Sequence, residues 1–154
     1  MLNEGDVVPD VTLEGAEGKA LSPADFGGQK LVIYFYPKDD TSGCTSEAQA
    51  FSALAEDFEK AGVWVIGVSK DDAKSHAKFT AKYNLTVPLA TDPDGSVCEA
   101  FGVWTEKNMY GRKYMGIERA TFLVDRDGVV KRVWRKVRVA GHAEEVLKAA
   151  QELG

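Results

Sequence analysis

The chain has 154 residues, 44% hydrophobic and 28% charged, which fits one globular domain over 1–154 with a core large enough to stand alone. Its net charge of -5 supplies none of the concentrated positive charge that binding to a nucleic-acid backbone requires. The longest apolar runs are too short to span a bilayer, and the polar start Met1-Leu2-Asn3-Glu4-Gly5-Asp6 has no apolar leader, so a cytoplasmic protein engaging neither nucleic acid nor membrane is expected.

In chain order, Val8 to Leu13 alternates like an edge strand and gives way to a turn over Gly15 to Gly18. Ser22-Pro23-Ala24-Asp25 reads as a helix start, with Ser22 as N-cap and Pro23 at the first helical position, and Gly27-Gly28 stops it within a turn. Leu31 to Tyr36 is a continuous apolar strand, the pattern of burial on both faces, and it ends at Pro37. Phe51, Leu54, Ala55 and Phe58 then recur at helical spacing, which predicts a helix with Cys44 in its first turn, running to about Ala61 before Gly62. Val63 to Val68 is a second buried strand and closes a βαβ unit with a parallel pair.

A helix is predicted over about Ala73 to Asn84, with His76, Phe79 and Tyr83 on one side. Pro88 to Thr91 is a short segment before the turn Asp92-Pro93-Asp94-Gly95, and Val97 to Phe101 a short helix. Gly102 to Gly116 reads as a long loop packed over Trp104, Tyr110 and Tyr114. Thr121 to Val124 and Val129 to Trp134 form a hairpin around Asp125-Arg126-Asp127-Gly128. His142 to Leu153 closes the chain as an amphipathic helix. The order predicts an α/β fold: a central mixed sheet flanked by helices on both faces, with an N-terminal β extension.

Cys44 falls beyond the carboxyl end of a parallel strand, where sites gather in such sheets. At a helix start the unpaired N–H groups and the macrodipole stabilise an anion, which for cysteine is the thiolate, the nucleophilic form. A lone cysteine among apolar residues is also a common buried filler, and that reading stands beside the first. Thr41, one turn upstream, can aim a hydroxyl at whatever the sulfur attacks, and Pro37 fixes the loop's entry without a donor of its own.

The string Pro37-x-x-x-Thr41-x-x-Cys44, followed by Thr45-x-Glu47-Ala48, resembles the active-site motif of the peroxiredoxins, and most of all their Q subgroup, the bacterioferritin comigratory proteins. Tyr110-Gly111-Arg112 and Met115-Gly116-Ile117-Glu118-Arg119 are similar to the same subgroup, so the resemblance covers nearly the whole chain. It implies a thioredoxin-like fold and a thiol-dependent peroxidase. Such an enzyme reduces hydrogen peroxide and organic hydroperoxides through a sulfenic acid on Cys44, with antioxidant defence as its role. It also implies that Arg119 reaches the sulfur, that Thr41 and Arg119 hold the peroxide oxygens, and that Pro37 shields the sulfur from water. The implied partners are a peroxide and a thiol reductant such as thioredoxin or glutaredoxin, and the implied state is a monomer with no cofactor. Glu47 reads either as the holder of an arginine or as a helix-start carboxylate favoured by the dipole.

The resemblance breaks at the second cysteine. Many members carry a resolving cysteine five residues after the nucleophile, where this chain has Gln49, and others carry it on the next helix, which here has none. Cys98 remains, as buried filler or as a resolving partner, and a disulfide would need the two Cα atoms within about 7 Å.

Other signals are weaker. His76 and His142 lack the spaced ligands of a metal site. The basic stretch Lys131, Arg132, Arg135, Lys136 and Arg138 around Trp134 reads as a solvated face. The rival readings are a thioredoxin-type disulfide oxidoreductase, disfavoured because Cys44-Thr45-Ser46-Glu47 lacks a second cysteine, and a non-enzymatic module in which Cys44 is inert.

Overall fold

The structure, a computed structural model, describes residues 2–153. A seven-stranded sheet runs in the order β2-β1-β5-β4-β3-β8-β9, where β1 is Leu13–Glu14, β2 Ala20–Leu21, β3 Lys30–Phe35, β4 Val63–Ser69, β5 Leu89–Thr91, β8 Ala120–Val124 and β9 Val130–Trp134. β3, β4 and β5 are parallel, and β8 lies antiparallel on the other side of β3. The helices are α1 (Ser42–Ala53), α2 (Ala55–Lys60), α3 (Ala73–Tyr83), α4 (Ser96–Phe101) and α5 (His142–Glu152).

The unbroken apolar run of β3 has the reason expected of it. Leu31, Ile33 and Phe35 enter one core, with Val97, Cys98, Phe101 and Phe122. Val32, Tyr34 and Tyr36 enter the other, with Cys44, Phe51, Phe58, Phe79 and Val146. Each fully buried side chain of this size contributes about 1.5–3 kcal/mol, so the strand's sequence is dictated from both sides. α1, α2, α3 and α5 cover the second core, while α4 and the N-terminal segment cover the first.

Three expectations are corrected. The alternating segment from Val8 pairs in the sheet only at Leu13–Glu14, with a separate bridge from Val7 to Val129; Pro9 lies inside the run and has no N–H for a ladder. The helix expected to run unbroken to Ala61 breaks at Leu54 (φ -99°, ψ 9°). Just before the break, Ser52 turns toward the segment ahead of β5: its hydroxyl accepts from the N–H groups of Thr86 and Val87, and its carbonyl accepts from the Thr86 hydroxyl. The third correction is the largest, because the loop expected over Gly102 to Gly116 is a β-ribbon.

In that ribbon β6 (Trp104–Met109) pairs antiparallel with β7 (Arg112–Ile117) across a two-residue turn. Tyr110 and Gly111 both take positive φ (53° and 78°), the geometry that a twisted two-residue turn demands. Tyr110 and Tyr114 are exposed rather than packed beneath anything. The ribbon forms its own sheet and leads directly to Arg119 and β8.

Candidate active site

Beyond the end of β3 the chain enters a loop whose shape is set by two acids, Asp39 buried and Asp40 exposed. The Asp39 carboxylate accepts from the Tyr36 hydroxyl at 2.5 Å and the Ser75 hydroxyl at 2.8 Å, and His76 Nδ1 lies 2.8 Å from it. Its backbone N–H donates to Asp71 at 2.8 Å. Asp40 takes a positive φ (59°), unfavourable for a residue with a side chain, and is held there by Lys82 Nζ at 2.8 Å and the Tyr83 hydroxyl at 2.6 Å. Two neighbouring loop residues are thus strapped to α3. The straps fix where α1 begins.

Thr41 is the N-cap of α1, and its hydroxyl donates to the Lys38 carbonyl at 2.9 Å, so what it offers outward is lone pairs. Cys44 is the third helical residue and is buried at 2% exposure. Pro37 is exposed on the rim of the loop. The structure therefore brings Pro37, Thr41 and Cys44 into one loop and helix start, as the spacing predicted for the segment.

Arg119 arrives from the opposite side. It sits between β7 and β8 with its carbonyl fixed by the Val137 N–H at 3.0 Å. Its Nη2 donates to Cys44 Sγ at 3.3 Å, and its Nη1 donates to Glu47 Oε1 at 2.7 Å. Burial works against the guanidinium's charge, but Glu47 and Cys44 outweigh it, and the group is held protonated above its usual range. Gly43 makes the approach possible: a Cβ there would stand 3.1 Å from Nη2.

Glu47, at 1% exposure, is thus the holder of an arginine, one of the two readings the sequence left open. Burial pushes its carboxyl up to about 7, against the pull of Arg119. Among the described residues its second oxygen, Oε2, is buried without a hydrogen-bond partner.

Sequence reasoning missed Lys107. It projects from β6, opposite Tyr114, and its stem lies across Gly116, where a Cβ would be 3.3 Å from its Cδ. Its ammonium is within electrostatic reach of both Arg119 and Cys44; burial and then Arg119 lower its pKa, while Cys44 opposes them. The local trace was Gly111 between two six-residue runs, which marks a turn without telling which residue reaches the site. The Asp39–His76 clamp gave no sequence signal, since its members are 37 positions apart.

Cys98 lies elsewhere. It is fully buried in α4, its N–H donating to Asp92 at 2.7 Å, in the core on the other face of the sheet from Cys44. Burial, and then the hydrogen bond to Asp92, raise its thiol far above the ordinary range. Both cysteines are free. Among the described residues no group of three or more His, Cys, Asp or Glu side chains could hold a metal ion, and no helix is long and apolar enough to cross a membrane.

The combination of one buried sulfur, one guanidinium and one hydroxyl at a helix start is suited to attack on a polarised O–O bond. Residues 5–133 match the AhpC/TSA family. The Peroxiredoxin Bcp of Xanthomonas campestris is 50% identical over 140 residues, covering 91% of this chain and 88% of its own. A solved structure of the bacterioferritin comigratory protein from the same organism, described with its alkyl peroxide reduction activity, superposes with a TM-score of 0.88 at 45% identity, covering 96% of this chain and 98% of its own. A cysteine-to-serine mutant of Xylella fastidiosa PrxQ superposes with a TM-score of 0.93 at 40% identity, covering 99% and 97%.

Proposed function

The chain belongs to the AhpC/TSA family, in its peroxiredoxin Q branch, and is a thiol-dependent peroxidase; from that premise we propose that Cys44 is the nucleophile and that its cycle uses no second cysteine of this chain. The observation that carries the assignment is the Arg119 guanidinium shared between Cys44 Sγ and Glu47. Thiolate attacks one peroxide oxygen, the O–O bond breaks, and the charge that leaves sulfur arrives on the departing oxygen beside Arg119 and the helix-start N–H groups. The lone pairs of Thr41 accept from the peroxide O–H, and Pro37 forms the outer rim that limits water.

The substrates are hydrogen peroxide and small organic hydroperoxides, a reading supported by the alkyl peroxide reduction described for the Xanthomonas protein. The sulfenic acid on Cys44 is then resolved by an external thiol, of the thioredoxin or glutaredoxin kind, because Cys98 is buried across the sheet. The enzyme acts as a monomer, as one functional unit over 1–154, in the cytoplasm.

Intact mass after one equivalent of hydrogen peroxide tests this. A gain of one oxygen on Cys44, unchanged in Cys98→Ser and lost in Cys44→Ser, is the expected result. A loss of two hydrogens that depends on Cys98 would overturn the one-cysteine cycle.

A further inference from the structure

One guanidinium serves two potential anions here. Arg119 gives Nη1 to Glu47 Oε1 at 2.7 Å and Nη2 to Cys44 Sγ at 3.3 Å, and both acceptors are buried, at 1% and 2% exposure. With Cys44 as thiolate and Glu47 as carboxylate the buried triad would carry a net negative charge, which burial disfavours. With one proton on the carboxyl it is neutral. The second carboxyl oxygen makes no hydrogen bond among the described residues, so nothing there stabilises a full carboxylate.

We propose that Glu47 is the proton store of the peroxide step: it holds a proton while Cys44 is thiolate and releases it as the sulfur becomes a neutral sulfenic acid. The balance is complete. Cys44 thiolate, ROOH and the Glu47 carboxylic acid give Cys44 sulfenic acid, ROH and the Glu47 carboxylate; sulfur is oxidised by two electrons, the O–O bond is reduced, and the leaving oxygen gains the proton that the carboxyl loses. Arg119 faces one anion before the step and one after it. When the external thiol regenerates the thiolate, Glu47 takes its proton back. Glu47 acts through Arg119 and is a positioning residue with a proton function.

The other titratable groups around the triad do not supply that proton. The Tyr34 phenol, from β3, is fully buried and held well above its ordinary range by burial and by Glu47, so it does not ionise. His142, from α5, sits 2.8 Å from the Thr121 hydroxyl with its pKa lowered by burial, so it carries no proton to give. Lys107, from β6, adds positive charge near Cys44 and so favours the thiolate, while burial and then Arg119 lower its own pKa. The carboxyl of Glu47, pushed up to about 7, titrates where the exchange requires.

This inference rests on the nucleophile assigned above, and two measurements separate their failures. In weakly buffered solution just below neutral pH, with a pH-indicator dye and one equivalent of hydrogen peroxide, the wild type takes up no proton per Cys44 oxidised. Glu47→Gln keeps a hydrogen bond to Arg119 but stores no proton, and takes up about one. Infrared difference spectra of the wild type with 13C-labelled glutamate need no variant: a labelled protonated-carboxyl band is lost, and a carboxylate band appears, as the sulfenic acid forms. Uptake of about one proton by the wild type, or an unmoved carboxyl band while the mass gains one oxygen, overturns the proton store. A mass that gains no oxygen refutes the assignment of Cys44 itself, and the proton store with it.

Discussion

Gly43→Ala separates stability from chemistry in this site. Gly43 is the second residue of α1, with helical backbone, and replacing glycine by alanine in a helix stabilises by up to about 1 kcal/mol through the unfolded chain's lost freedom. The new methyl would stand 3.1 Å from Arg119 Nη2, where ordinary contact starts at 3.4 Å, so the guanidinium must retreat by a few tenths of an ångström. It cannot retreat freely, because Nη1 is tied to Glu47 at 2.7 Å; the bond that lengthens is the 3.3 Å contact to Sγ. Since a misplacement of about 1 Å costs roughly 100-fold in rate, a shift of a few tenths costs about 3- to 10-fold. Stopped-flow measurement of hydrogen peroxide consumption, beside a thermal melt, should show the peroxide step slowed by that factor with the melting temperature unchanged or raised. A variant as fast as the wild type would refute the claim that the position of Arg119 sets the rate.

Gly67→Ala should do the opposite. A Cβ there would meet Tyr34 at 2.6 Å and Leu89 at 3.0 Å, and Tyr34 is stacked on Phe51 with ring centroids 4.6 Å apart, so a loss of about 1–3 kcal/mol is expected in denaturant titration. Asp39→Ala leaves the Tyr36 and Ser75 hydroxyls and His76 Nδ1 without their shared acceptor and should cost about 2–4 kcal/mol in the same titration. Asp39→Asn, which keeps an acceptor oxygen, should recover part of it. Glu47 has a folded pKa of about 7 against 4.5 in its unperturbed state, so the folded chain holds the extra proton between those values. Its contribution therefore falls as pH rises through that window, by up to about 3 kcal/mol, and Glu47→Gln should flatten the stability-pH curve there.

What the sequence disclosed follows from how local each cause is. β3 was visible because burial on both faces writes one unbroken apolar run, and the helix start at Thr41 and Cys44 because its residues are neighbours in the chain. The β6–β7 ribbon stayed hidden because it stands apart from the main sheet: residues such as Glu106, Asn108, Arg112 and Lys113 leave no apolar alternation, and the turn uses Tyr110-Gly111 instead of the commoner Asn-Gly. The partners of Glu47 and Asp39 come from β8's start and from α3, and pairings across the fold leave no periodic trace. Resemblance named Arg119, but only coordinates show it held from below by Glu47.

The same geometry orders the two halves of the cycle. Oxidation needs a compact site, since hydrogen peroxide is small and the sulfur is reached through one donor, one hydroxyl and a helix end. Reduction is different: in the one-cysteine cycle proposed above, a bulky thiol must reach a sulfur at 2% exposure, since Cys98 lies in the opposite core. The start of α1 must then give way, and what resists is the loop's attachment to α3. The exposed strap from Asp40 to Lys82 contributes little, as solvent-facing ion pairs do, so the resistance resides in the buried Asp39 cluster. Loosening that cluster should slow the peroxide step while speeding attack by an external thiol on the sulfenic acid. Asp39→Asn, followed in separate oxidation and reduction assays, reads both signs, and a fall in both rates would show that the clamp serves folding alone.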